Sequence, residues 1–219
     1  MVMGRFVNNM SVAIFGGTFN PVHNGHLRIA IELAELLEVE SLRMIPCALP
    51  AHRDAPSASP EQRLEMLKRG IGEQSQLVAD DIELRRDGPS YTIDTLRAIR
   101  AQIGDSTALY LCIGMDVLAS LDSWRDWQKL TDYCHIVVSS RPGYQLPESG
   151  TLAEWISARL CDDLQTLKQS SAGKLHLCTL TMLAISSTAI RHKISVGEKV
   201  DYLTPAAVVN CIQQQHLYE

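Results

Sequence analysis

Ser11-Val12-Ala13-Ile14-Phe15-Gly16-Gly17-Thr18-Phe19-Asn20-Pro21-Val22-His23-Asn24-Gly25-His26 is the stretch around which the rest of the chain is read. Val12 to Phe15 is a short apolar run of the kind that forms a fully buried parallel strand. Gly16 and Gly17 let the backbone turn sharply and leave its N–H groups bare, and Asn20-Pro21 is a turn signal. Leu27, Ala30, Ile31, Ala34 and Leu37 then recur at helical spacing, so a helix begins at the second histidine. A strand, a glycine turn and a helix N-terminus together make an anion site, because the exposed N–H groups and the helix dipole point at the ligand. His23 and His26 add two donors at its rim. The ligand chemistry this predicts is phosphate.

Other phosphate loops do not fit. The stretch lacks the G-x-G-x-x-G dinucleotide fingerprint, and no Gly-Lys-Ser/Thr follows as in a Walker loop. Two histidines three apart could begin a zinc site, but that needs a third ligand, and no Cys, Asp or Glu lies within the stretch. Both histidines flank Gly25 in a Gly-Gly-Thr-x-Asn-Pro setting, which argues against a plain pair of capping or core residues.

Further along, strands and helices alternate. Leu42 to Pro46 reads as a second strand, followed by a Pro- and Ala-rich loop. Ser59-Pro60-Glu61-Gln62 is a helix start with a cap, an N1 proline and a capping-box glutamine. Leu77 to Leu84 reads as extended, and Ser90 as the cap of a helix through Thr92, Ile93, Leu96 and Ile99 that closes at Gly104. Ala108 to Ile113 and Ile136 to Ser139 are strands, Leu152 to Leu167 a helix, and Leu175 to Met182 a strand. Two short helices end the chain, the last starting at Thr204-Pro205. The alternation predicts an α/β fold, a Rossmann-like doubly wound parallel sheet with ligands beyond the C-terminal strand ends. Residues 1–10 read as an N-terminal extension and 11–219 as one domain.

Ile185-Ser186-Ser187-Thr188-Ala189-Ile190-Arg191 is the second polar cluster, three hydroxyls at a strand-to-helix transition with a guanidinium one turn on. A capping box explains Ser186 alone; the set suits phosphate oxygens, for which Arg offers a planar charged fork. Nearly every polar group in the two clusters is a donor. A serine or cysteine hydrolase needs an activated nucleophile and a glycosidase needs two carboxylates, and neither set is present in them. Transfer to an attacker that is already a phosphate oxyanion needs only alignment and charge stabilisation. Donor-only chemistry predicts nucleotidyl transfer.

Gly16-Gly17-Thr18-Phe19-Asn20-Pro21-Val22-His23-Asn24-Gly25-His26 resembles the (H/T)xGH signature of the nucleotidyltransferase superfamily, and 185–191 resembles its ISSTxIR signature. With Gly114-Met115-Asp116 and Trp124 between them, the chain is similar to the bacterial nicotinate-nucleotide adenylyltransferases from about Val12 to its C-terminus. One departure is Asn20, where bacterial members usually carry Asp: it keeps a polar turn residue and drops a charge. The resemblance implies attack by the 5′-phosphate of nicotinate mononucleotide on the α-phosphorus of ATP, with pyrophosphate leaving and no covalent intermediate. Mg²⁺ is expected to ride on the ATP phosphates, with no protein ligand set of its own. By the same likeness Gly16, Gly17, Thr18, Phe19, His23, His26 and Ile185 hold the ATP, with His26 at the transition-state charge, while Ser187, Thr188 and Arg191 grip the leaving end. Asp116 would accept from the ribose hydroxyls, with Gly114 permitting close approach; a loop Asp capping the next helix reads equally well.

The resemblance places the nicotinate carboxylate at Ser90-Tyr91-Thr92, where a helix opens and its N–H groups favour a carboxylate over a carboxamide; an ordinary N-cap is compatible. Trp124 is the candidate to stack on the pyridine ring, and Trp127 reads as core. His52 and Arg53 resemble a family element that closes over the site, and also suit a solvated loop. Sister enzymes acting on phosphopantetheine or on the amide mononucleotide are the near alternatives. A nucleotide-sensing module is the distant one, disfavoured by a full set of transition-state donors.

A net charge of −5 on 219 residues argues against a nucleic-acid partner, whose binding needs a basic face. Six scattered cysteines without a C-x-x-C pair read as buried thiols in a reducing compartment, and no apolar run approaches a membrane span. These features, with no signal-peptide pattern at 1–10, predict a cytoplasmic protein working on small molecules. They assign no oligomeric state.

Overall fold

The computed structural model describes residues 11–48, 56–86, 88–140 and 145–219. Six strands form one all-parallel sheet: β1 (Val12–Gly17), β2 (Ser41–Pro46), β3 (Leu77–Ala79), β4 (Leu109–Gly114), β5 (His135–Ser139) and β6 (Leu175–Cys178). Their order is β3-β2-β1-β4-β5-β6. The helices are α1 (Asn24–Leu37), α2 (Pro60–Ile71), α3 (Thr92–Ile103), α4 (Met115–Leu118), α5 (Leu130–Tyr133), α6 (Thr151–Ser157), α7 (Leu164–Leu167), α8 (Ser187–Ser195) and α9 (Ala206–Gln214). Two 3₁₀ turns, Leu121–Ser123 and Trp127–Lys129, stand between α4 and α5.

Strand side chains alternate between two cores, as a sheet covered on both faces requires. Ala13, Leu42, Met44, Tyr110 and Cys112 pack with Leu33, Leu37, Met66, Leu67, Val208 and Ile212 on one face. Ile14, Ile45, Leu109, Leu111 and Ile113 pack with Ile93, Leu96, Leu118, Leu130 and Trp155 on the other. The strand order reverses direction between β1 and β4, the place where open sheets of this kind leave a crevice at the carboxyl ends of their strands. Pairing of β1 with β4 stops at Phe15↔Cys112, so the glycine ends of both strands, Gly16-Gly17 and Gly114, flank that crevice.

Three elements differ from the sequence expectation. The segment from Leu77 stops being a strand at Ala79, because the Asp80 carboxylate accepts the Ile82 N–H (3.0 Å) and turns the chain. The apolar run from Leu152 is two helices: Leu160 leaves the first to bridge Leu175, and Asp163 caps the second by accepting from Gln165 N–H. The strand from Leu175 ends at Cys178, and the chain beyond is drawn over α1, where the Glu32 carboxylate accepts the Thr181 N–H at 2.7 Å. The predicted extension at 1–10 lies outside the described residues, as do 141–144. Among the described residues no helix is long and apolar enough to cross a membrane.

Candidate active site

The two histidines build the mouth of α1. His23 is its N-cap: the Nδ1 atom accepts the His26 N–H, while the His26 Nδ1 accepts the His23 N–H, both at 3.3 Å. This is the reciprocal geometry of a capping box, made here by two imidazoles. Their rings stack with centroids 3.6 Å apart, and the Phe19 ring meets His26 edge-on at 5.1 Å. Gly25 allows the stack, since a Cβ there would lie 3.0 Å from His23 Nδ1. An Nδ1 that accepts carries no proton, so in the neutral ring the hydrogen sits on Nε2. Both imidazoles are thereby set as Nε2 donors rather than nucleophiles. His23 is buried and His26 half-buried.

Motif two closes on motif one. Arg191 Nη1 donates to the Asn20 carbonyl at 2.8 Å, and the Ser187 hydroxyl donates to the Pro21 carbonyl at 2.9 Å. The Thr204 hydroxyl donates to the Val22 carbonyl at 2.7 Å, and Asn24 donates through N–H and Nδ2 to the Leu203 and Tyr202 carbonyls. Each carbonyl from 20 to 22 thus receives a donor from the last third of the chain. Ser187 has one hydroxyl proton and it is engaged, so its contribution to a ligand falls to its backbone N–H at the open first turn of α8. Arg191 Nη2 lies 3.3 Å from Thr188 Oγ1. Beside this turn is a cavity of about 280 Å³ lined by Ala184, Ile185, Ala189, Ile190, Lys193 and Leu203, mostly apolar.

Gly16 is exposed at the end of β1, and a Cβ added to it would meet nothing within 4 Å. At Gly114 the space is taken from within: a Cβ would sit 2.5 Å from Asp116 Oδ1, so the carboxylate folds back over its own strand end. Thr18 is held by Cys47, whose thiol lies 3.7 Å from Thr18 Oγ1 and whose N–H donates to the Gly17 carbonyl. Burial pushes the Cys47 thiol up, so it stays protonated.

Ser90 does not cap α3. The N-cap is Tyr91, without a side-chain cap, because the Ser90 hydroxyl turns away to accept the Ala48 N–H at 3.0 Å. The first turn from Thr92 is left open for another acceptor. Trp124 lies in extended backbone between the two 3₁₀ turns, so it does not share a helix face with Trp127; both rings are half-buried against the core, and Trp127 meets Trp155 edge-on at 5.2 Å. Arg125, which sequence reasoning passed over, lies over the Tyr91 ring at 4.9 Å and ties the Trp124 segment to the start of α3. His52 and Arg53 lie outside the described residues. The sequence reading took Asn20 as a turn residue and a departure without its buried contacts, and it missed the fully buried Arg63, whose guanidinium donates to the Thr18, Ala48 and Ala58 carbonyls.

The comparisons with known proteins fit this geometry. Residues 14–193 match the cytidylyltransferase-like family model. A probable nicotinate-nucleotide adenylyltransferase of Pseudomonas aeruginosa is 42% identical over 207 residues, 94% of this chain and 96% of its own length. One from Chromohalobacter salexigens is 42% identical over 208 residues, 94% of this chain and 95% of its own. The chain belongs to the nicotinate-nucleotide adenylyltransferase family. The fold is shared more widely: a Plasmodium falciparum nicotinic acid mononucleotide adenylyltransferase complexed with NaAD superposes at a TM-score of 0.71 with 15% identity, covering 95% of this chain and 97% of that one. The doubly wound sheet expected from the sequence is the fold these adenylyltransferases share.

Proposed function

We propose that this member of the family joins the AMP moiety of ATP to nicotinate mononucleotide, giving nicotinate adenine dinucleotide and pyrophosphate, a step of NAD biosynthesis. The observation that carries the reading is the clasp of Arg191 and Ser187 on the Asn20-Pro21 turn, which brings a guanidinium to the glycine turn and imidazole pair. The triphosphate lies along Gly16-Gly17 and the open ends of α1 and α8, with Ile185 and its apolar hollow beside the base. Asp116 accepts from the ribose. The mononucleotide enters between Trp124 and the start of α3, its carboxylate toward the Tyr91-Thr92 turn and its pyridine ring on Trp124.

In the transfer, a 5′-phosphate oxygen of the mononucleotide forms a bond to the α-phosphorus as the bond to the bridging oxygen of pyrophosphate breaks. The attacker is already an anion, so no base is required, and catalysis consists of alignment and stabilisation of charge. His26 Nε2–H donates to the α-phosphate oxygens, and Arg191 to the departing pyrophosphate. Mg²⁺ bound to the ATP phosphates would supply charge neutralisation there, carried by the nucleotide rather than by protein ligands. The protein groups around it are amides, imidazoles and a guanidinium, which suit the anion rather than a bare cation. Six thiols, none in a disulfide, suit the cytoplasm. A pyrophosphate-release assay offering nicotinate mononucleotide, its amide and phosphopantetheine side by side tests the reading. The acid mononucleotide should be turned over fastest, and preference for either other acceptor overturns the assignment.

A further inference from the structure

The chain's penultimate residue reaches the phosphate turn. After α9 the backbone takes left-handed conformations at His216 (φ 50°) and Tyr218 (φ 69°), uncommon for side chains with a Cβ. Leu217 between them is buried in the core. The result is that the Tyr218 hydroxyl donates to Asn20 Oδ1 at 2.7 Å. Asn20 is buried and held at three points: its Oδ1 accepts from Tyr218, its Nδ2 donates to Ser57 Oγ at 3.3 Å, and its carbonyl accepts from Arg191. A carboxamide can both accept and donate, which a carboxylate at this position could not. The Tyr218 phenol also lies 3.9 Å from Met66 Sδ on α2, and burial pushes its pKa up, so it is a donor throughout the working range.

We propose that Tyr218 is a positioning residue for adenylyl transfer: through Asn20 it holds the carbonyl against which the Arg191 guanidinium is set. The inference rests on the reading of Arg191 as a ligand of the ATP phosphates. An arginine side chain has rotamer freedom that must be removed before its fork can meet a phosphate, and the Asn20 carbonyl removes it only while Asn20 is itself fixed. Tyr218 and Ser57 fix the carboxamide from two sides, one from the chain's C-terminus and one from beside the segment that precedes α2.

The test is a double-mutant cycle of Tyr218→Phe and Arg191→Ala, with kcat and KM for each substrate read where every variant is fully folded by circular dichroism. Loss of one positioning hydrogen bond should lower kcat/KM for ATP by about 5–10-fold in Tyr218→Phe, with KM for the mononucleotide unchanged. Arg191→Ala should lose more, and adding Tyr218→Phe to it should cost nothing further, because the group being positioned is gone. Losses that multiply in the double variant, or wild-type kinetics in Tyr218→Phe beside an impaired Arg191→Ala, overturn the positioning role while leaving the Arg191 reading intact. An Arg191→Ala variant with unaltered ATP kinetics overturns both.

Discussion

At the residue scale the central object is an imidazole whose outward nitrogen is defined by what its inward nitrogen does. His26 Nδ1 accepts a backbone N–H, Phe19 abuts the ring edge, and His23 stacks on its face, so Nε2–H has one orientation. His26→Ala should therefore lower kcat by about 10²–10³-fold, the loss seen for one oxyanion donor, measured where the variant is fully folded, since losing its half of the α1 capping box should also cost about 1 kcal/mol of stability. Wild-type turnover in that variant would remove His26 from the chemistry. Trp124, half-buried beside the Arg125–Tyr91 pair, gives a second prediction. Trp124→Ala should raise KM for the mononucleotide about 2–10-fold and leave that for ATP near its original value, as measured by varying each substrate in turn. Equal effects on both would count against stacking. The mutual capping of His23 and His26 went against the sequence expectation, whereas the strand, glycine turn and helix start that carry them were legible because their residue types sit in a short motif. Asn20, Arg63 and Tyr218 were not, since their roles come from carbonyls and a carboxamide far away in sequence.

Among the elements, the first strand, its glycine turn and α1 form where the alternation and helical spacing of their apolar residues require. The start of α2 is equally local: Ser59 Oγ accepts the Gln62 N–H and Gln62 Oε1 accepts the Ser59 N–H, the box that the four letters spell. The end of β3 was misjudged for a local reason, the Asp80 turn, but elsewhere a distant group intervenes. The Ser90 hydroxyl accepts from Ala48 N–H rather than capping α3, and Leu160 abandons a helix for Leu175. Arg63 shows what α2 is for: a cation with no exposed surface that joins the Thr18 carbonyl at 2.8 Å to those of Ala48 and Ala58. Arg63→Met would leave three carbonyls without that donor and should cost about 3 kcal/mol or more, since hydrogen bonds to charged groups contribute about 1.5–3 kcal/mol each. Chemical denaturation should show it as a lower midpoint. Arg63→Lys should recover part of the loss only, because an ammonium lacks the fork that spans three acceptors. An unchanged midpoint in Arg63→Met would show that the turn is held without it.

At the scale of the whole molecule, the strand order could not be read from periodicity, yet it decides where the site lies: β1 and β4 are neighbours although α1, β2, α2, β3 and α3 separate them in the chain. At the far end of the sheet lies one group whose titration should bear on stability. His135 is buried, its Nε2 sits 2.9 Å from the Ser170 carbonyl, its Nδ1 accepts the Lys174 N–H, and it stacks on Tyr110. Burial, reinforced by the positive charges of Arg100 and Lys174, lowers its pKa from the ordinary 6.5. Below that value the unfolded chain takes up a proton that the folded one refuses, so stability is full above pH 6.5 and falls as pH drops through the depressed folded value. The melting temperature should decline as pH falls below about 6.5, and that decline should be shallower in His135→Gln. An identical slope in the variant would place the dependence elsewhere. All of this serves a site built mostly from donors, which the proposed transfer uses for alignment and stabilisation of charge. The most direct measurement is the stereochemical course at phosphorus, with ATP carrying a chiral sulfur-substituted α-phosphate and nicotinate mononucleotide as acceptor. A single in-line displacement predicts inversion of configuration in the dinucleotide product; retention would reveal a covalent adenylyl-enzyme and contradict the account.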